Sequence, residues 1–190
     1  MDASLYDSPA SYFAEVQRVF RALPFDDIRR LRAMLALLHR DATIYVVGNG
    51  GFSTVAEHFA LGMTLNAQRE SGASFRALSL SSSGAFLSAA ANDYGPEQIF
   101  SAPIVTFGRS GDVLIALSGS GVSNNIVRAC QYGREKGMPV VSIVGRSGVV
   151  SDLSDLPISL CCDSNAVCED VAMMILHWVY GTFMVQGRPT

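Results

Sequence analysis

Five short apolar runs constrain this chain more than any other feature. They are "TIYVV" (43–47), "FRALSL" (75–80), "DVLIALS" (112–118), "PVVSIVG" (139–145) and "LPISLCC" (156–162). Rather than alternating with polar residues, they are apolar almost throughout, which is the pattern of strands buried on both faces. Helical stretches lie between them: one from about Ser53 to Ala67, the short "SGAFLSAAAN", part of "GPEQIFSAPIVTFG", and 123–137 closed by Gly137. A last helix runs from about Asn165 to Val185. Strands alternating with helices predict a parallel sheet covered on both sides. The expected fold class is α/β: a three-layer α/β/α sandwich on a five-stranded, flavodoxin-like parallel sheet. In that architecture ligands bind beyond the carboxyl ends of the strands, near the switch in strand order. The loops after residues 47, 80 and 118 are therefore where a site is sought.

A helical arm precedes the first strand. Ser8 is a candidate N-cap with Pro9 in the first helical position, Pro24 interrupts the helix, and "DDIRRLRAMLALLHR" restarts it. The chain is divided into a 1–40 arm and a 41–190 core of one domain. The arm either caps its own domain or packs on another subunit. Only 16% of residues are charged against 49% hydrophobic, a low charge density for a monomer's surface, which points to partner subunits. With a net charge of −3 and no basic block, nucleic-acid binding is disfavoured. No apolar run approaches the ~18 residues of a membrane span. The N-terminus lacks the pattern of a signal peptide, so a cytoplasmic location is expected. Cys130, Cys161, Cys162 and Cys168 show no CxxC spacing and read as reduced, mostly buried thiols.

Two glycine-rich turns fall where strands become helices. "LSGSGVSNN" (117–125) threads Ser118, Ser120 and Ser123 between Gly119 and Gly121. Serine hydroxyls and helix N-terminal amides both donate to anionic oxygens, so this loop can hold a phosphate without Lys or Arg. It can also be a plain turn in which Ser123 caps a helix. The other turn, "GNGG" (48–51), is neither GxGxxG nor a Walker A loop, and no acidic residue closes the next strand. No nucleotide cofactor is expected.

Together these segments resemble the sugar isomerase (SIS) domain, and within it the phosphoheptose isomerase group. The resemblance lies in "VVGNGGFSTVAEHFA", "AANDYG", "FGRSGDVLIALSGSGVSNNIVRAC", "REKGMPVVSIVGRSG" and "EDVAMMILHWV", in order over nearly the whole chain. It implies a homotetramer with helical interfaces. It also implies a phosphorylated seven-carbon ketose, sedoheptulose 7-phosphate, converted to an aldoheptose 7-phosphate. A phosphate cradle is carried over onto Ser118, Gly119, Ser120 and Ser123. Asn49, Gly50, Gly51, Ser53 and Asp93 fall around the sugar. Some members of the group bind zinc.

The chain departs from the group at two places. Phe52 stands where the first loop usually ends in serine, with Ser53 one position later. Gly62 stands where the group has a catalytic glutamate, four residues after His58. Aldose–ketose interconversion still needs a base near C1 and C2 and an acid or metal at the oxygens. His177, which matches the group's proton-relay histidine, and Glu169, eight residues earlier on the same helix, are the catalytic candidates. His58, Glu169 and His177 have zinc-compatible ligand types. The two histidines also have a plain reading as packed residues, His177 beside Trp178 at a helical interface, and Glu57 reads as part of a solvated helix face. Asp170 is read as solvent-facing or as a partner for a neighbouring chain's His177, and Met173 and Met174 as core. The alternative function is a non-catalytic sugar-phosphate-binding or regulatory tetramer.

Overall fold

The computed structural model describes residues 3–187. Its strands are β1 (Thr43–Gly48), β2 (Arg76–Ser79), β3 (Val113–Ser118), β4 (Val140–Val144) and β5 (Leu156–Ser159). All pair in parallel, in the order β2-β1-β3-β4-β5. This is the doubly wound arrangement with its switch point between β1 and β3. The strands alternate in which face they serve. Ile44, Val46, Val113, Ile115, Leu117, Val141 and Ile143 enter one core, while Tyr45, Val47, Leu114, Ala116, Val140 and Val144 enter the other. Both sets are apolar because helices cover both faces, as the unbroken hydrophobic runs require.

One face carries the arm, α1 (Pro9–Arg21) and α2 (Phe25–Ala36), together with α3 (Gly51–Leu61), α4 (Ala67–Ser71) and α9 (Asn165–Gln186). The other is covered by α6 (Ser101–Phe107), α7 (Asn124–Glu135) and α8 (Val149–Asp152). Ser8 caps α1 as expected: its hydroxyl accepts from the Ser11 N–H at 3.1 Å, with Pro9 at the first helical position. The arm packs on its own domain. Tyr12 Oη donates to Asp170 on α9 at 2.6 Å, so Asp170 is engaged within its own chain. Between α3 and α4 the helix widens into a π turn over Gly62–Asn66. Helical structure thus starts at Gly51 rather than Ser53 and runs past Ala67 to Ser71. The fifth strand ends at Ser159, three residues short of the expected limit, because Cys161 turns the chain with a positive φ of 51°. On α5 (Gly84–Tyr94) only Ala90 is buried. Among the described residues no helix is long and apolar enough to cross a membrane. Cys130, Cys162 and Cys168 are buried, whereas Cys161 is exposed.

Candidate active site

The switch point brings the two glycine turns side by side, because β1 and β3 are neighbours. Asn49 and Asn125 join them through a reciprocal amide pair, Asn49 Nδ2 to Asn125 Oδ1 at 2.9 Å and Asn125 Nδ2 to Asn49 Oδ1 at 2.7 Å. Asn125 was not singled out from the sequence, although it lies in the quoted "SNN". The third loop joins through Ser81, whose hydroxyl donates to the Gly48 carbonyl at 3.0 Å. Gly50 has φ of +56°, a backbone that a side chain would strain. Ser53 Oγ donates to the Gly50 carbonyl at 2.6 Å and so closes the first loop on itself. Phe52 is buried in the core beneath the serine loop rather than standing in the cleft.

The serines divide their work. Ser118 is buried, and its Oγ accepts from the Gly121 N–H at 3.1 Å, shaping the loop from beneath. Gly121 has φ of +71°, and a β-carbon there would overlap the Arg146 carbonyl in the loop after β4. Ser123 occupies the N-cap position of α7, but its side chain makes no capping bond. Its hydroxyl faces Ser120 Oγ at 3.2 Å instead. A pair of hydroxyls thus stands at the amino end of a helix of 12 residues, where amides and dipole both favour an anion. Arg146 is paired with Asp163 at 3.4 Å. Asp93 lies on exposed α5, where its carboxylate accepts from Asn92 at 2.9 Å. Among the described residues no hydrogen bond joins it to the serine loop.

Helix α9 enters beneath both turns. A β-carbon at Gly119 would overlap the Asn165 amide, and one at Gly51 would overlap the Glu169 carboxylate. Asn165 and Glu169 are four residues apart on one helical face. Glu169 therefore rests on the first turn of α3, next to the cleft. Partial burial, and then the neighbouring Asp170 charge, raise its pKa above the usual carboxylate range.

Further along, α3 and α9 run side by side in the same direction, and His58 meets His177. Their Nε2 atoms are 2.8 Å apart, with the rings edge to face. Tyr180 Oη lies 3.3 Å from the same His58 nitrogen. The space a side chain at Gly62 would take is filled by the Tyr180 ring, whose Cδ1 lies 2.5 Å from where a β-carbon would stand. Tyr180 was missed in the sequence, and its place three residues beyond His177 on one helix face is the signal that could have found it. Burial and then His58 lower the pKa of His177, which is neutral at pH 7. Trp178 is half exposed, so His177 does not pack into an indole-lined core. Met174 is likewise exposed, while Met173 is partly buried.

The expected His58–Glu169–His177 zinc group is not formed. The two imidazoles bond each other, and Glu169 lies against Gly51 instead. Among the described residues no three His, Cys, Asp or Glu side chains gather as a metal site. Two histidine nitrogens bonded directly share a proton, whereas zinc requires a lone pair from each. These residues as arranged do not fit zinc.

The family model for the SIS domain matches residues 11–145. That stretch includes β1 to β4 and both glycine turns. This chain belongs to the SIS-domain family. Its SIS domain is 33% identical over 168 residues to a phosphoheptose isomerase of Laribacter hongkongensis, covering 86% of this chain and 85% of that protein. Two solved phosphoheptose isomerases superpose on it. That of Neisseria gonorrhoeae has a TM-score of 0.82 and 28% identity, covering 94% of this chain and 98% of that one. That of Francisella tularensis has a TM-score of 0.83 and 25% identity, covering 98% and 100%. The fold is thus shared over nearly the whole chain.

Proposed function

We propose that this chain is a sugar-phosphate isomerase that interconverts an aldose and a ketose. The observation that carries this reading is the Ser120–Ser123 hydroxyl pair at the amino end of α7, with the Glu169 carboxyl held beside the same cleft. The phosphate binds on Ser120, Ser123 and the α7 amides, and Ser118 holds the loop in shape. The Asn49–Asn125 amides face the sugar hydroxyls as donors and acceptors. Glu169 removes the proton shared between C1 and C2, giving an enediolate, and returns it to the neighbouring carbon. Its raised pKa makes it a stronger base than an ordinary carboxylate. His177, neutral and exposed, carries the proton at the sugar oxygens. No step is routed through a metal.

The substrate we favour is sedoheptulose 7-phosphate or a close C7–C8 analogue, since the matching relatives are phosphoheptose isomerases. Those relatives also favour an enzyme over a non-catalytic binder. A homotetramer with helical interfaces is part of the same reading, supported by α5, of which only Ala90 is buried, and by exposed Phe13, Phe20, Phe25 and Trp178.

The test is exchange of the C1 and C2 protons of sedoheptulose 7-phosphate in deuterium oxide, followed by NMR. Exchange is expected in the unaltered protein. Glu169→Gln should slow it ~10²–10⁴-fold, the usual worth of a general base. Ser120→Ala should weaken phosphosugar binding. Binding without exchange across C6–C8 phosphosugars would overturn the isomerase reading.

A further inference from the structure

The start of α9 is tied to the serine loop through a relay of backbone bonds. The Gly145 N–H donates to the Ser118 carbonyl at 3.0 Å and the Arg146 N–H to the Gly119 carbonyl at 3.1 Å. The Cys162 N–H donates in turn to the Gly145 carbonyl at 2.9 Å. The loops after β3, β4 and β5 thus close on Gly145, where a β-carbon would overlap the Gly119 and Cys162 carbonyls and Cys168 Sγ. Just beyond, Ser164 caps α9, its hydroxyl accepting from the Val167 N–H at 3.4 Å. Asn165 takes the first helical position, so its carboxamide is not spent on the cap. Among the described residues that carboxamide makes no hydrogen bond. Asn165 is exposed, and its amide lies against Gly119, in the space a side chain there would take. An unpaired carboxamide therefore stands beside the serine loop, one helical turn, ~6 Å, before Glu169 on the same face.

We propose that Asn165 is a substrate-binding residue, which hydrogen-bonds the sugar hydroxyl groups lying between the phosphate and the reacting carbons. A carboxamide offers donors and an acceptor, and an alcohol uses one of each. A phosphate would use the donors alone and would meet the amide oxygen with repulsion. The neutral group therefore suits the hydroxyls and leaves the anion to Ser120, Ser123 and the α7 amides. Gly119 belongs to the same device, because the absence of a side chain there lets the amide reach the loop backbone. The relay through Gly145 holds the start of α9 in place before a ligand arrives, so little ordering is left to binding. The inference rests on the isomerase reading, which puts the phosphate on the serine loop and the reacting carbons at Glu169.

The experiment uses the full chain, uniformly ¹⁵N-labelled, unaltered and as Asn165→Ala. Sedoheptulose 7-phosphate should shift the Asn165 side-chain NH₂ signal in the unaltered protein, and inorganic phosphate should not. By calorimetry, Asn165→Ala should weaken sedoheptulose 7-phosphate ~5–10-fold, the worth of one or two hydrogen bonds. Inorganic phosphate and n-butyl phosphate, which carry the anion without the hydroxyls, should bind both proteins equally. Tm should be unchanged, because the amide has no partner to lose. An equal loss for all three ligands would mean that Asn165 holds the anion, and overturns the proposal. An unmoved Asn165 signal in the unaltered protein also overturns it, whether or not the variant folds. Where the sugar is isomerised, the loss should appear in KM rather than in kcat, and a loss confined to kcat overturns the binding role. The Gly119, Ser120 and Ser123 amides separate the two readings. If sedoheptulose 7-phosphate shifts them and leaves Asn165 untouched, this proposal fails and the isomerase reading stands. If the expected shifts appear at all four residues without isomerisation, the isomerase reading fails and Asn165 keeps its binding role. If none of them moves, both fail.

Discussion

Glu169 keeps its place because residue 51 has no side chain. Its carboxyl lies against the first turn of α3, half shielded from water, and holds its proton to a higher pH than an unfolded carboxyl does. The sign of the consequence is fixed. A group whose pKa is raised by folding adds stability below its unfolded pKa, and that contribution is lost as pH rises through the folded value. Thermal melts from pH 4 upward should therefore show this share of stability falling just above the ordinary carboxylate range. Glu169→Gln should flatten that part of the curve. Activity should run the opposite way and rise through the same interval as the base ionises. A melt profile identical in the variant would show that the carboxyl is not perturbed as described. The serine loop at the start of α7 was legible in the sequence because hydroxyls, glycines and a helix start were adjacent in the chain. Asn125 and Tyr180 were not, because each acquires its meaning from a partner 76 or 122 residues away.

At the scale of elements, the strands were easily read, since parallel strands buried on both faces leave long apolar runs. The helix after β1 was harder. Its π turn begins at Gly62, against which the Tyr180 ring of α9 packs, and no local periodicity reports that contact. Asp93 was placed near the sugar by its motif alone, and α5 holds it on an exposed surface. In β4 the strand pattern hides a local cost. Ser142 is fully buried between Ala116 and Pro157, and its hydroxyl has no hydrogen-bond partner among the described residues. A buried, unsatisfied hydroxyl costs ~1–3 kcal/mol. Ser142→Ala should therefore stabilise the protein by about 1 kcal/mol in urea unfolding, at unchanged m-value. A destabilised variant would mean that the hydroxyl is bonded.

For the whole molecule, the low charge fraction of the sequence reappears as apolar surface that one chain does not cover. Phe20 and Phe25 stack edge to face and, with Met174 and Trp178, line an apolar groove between the arm and α9. The arm caps its own domain and still leaves Phe13 two-thirds exposed. The protein should run as a tetramer in light scattering, and Phe20→Glu should shift it to smaller species. A monomeric unaltered protein would remove the oligomer from the functional reading.

The fit of Tyr180 over Gly62 also limits what can be built at that position. No residue larger than glycine can arrive at position 62 while the ring is in place, because its first carbon would lie 2.5 Å from Tyr180. A carboxylate could enter there only if the ring moved aside or position 180 became smaller, and the smaller residue by itself would leave packed space empty. Anyone rebuilding a carboxylate at 62 would have to make both changes at once.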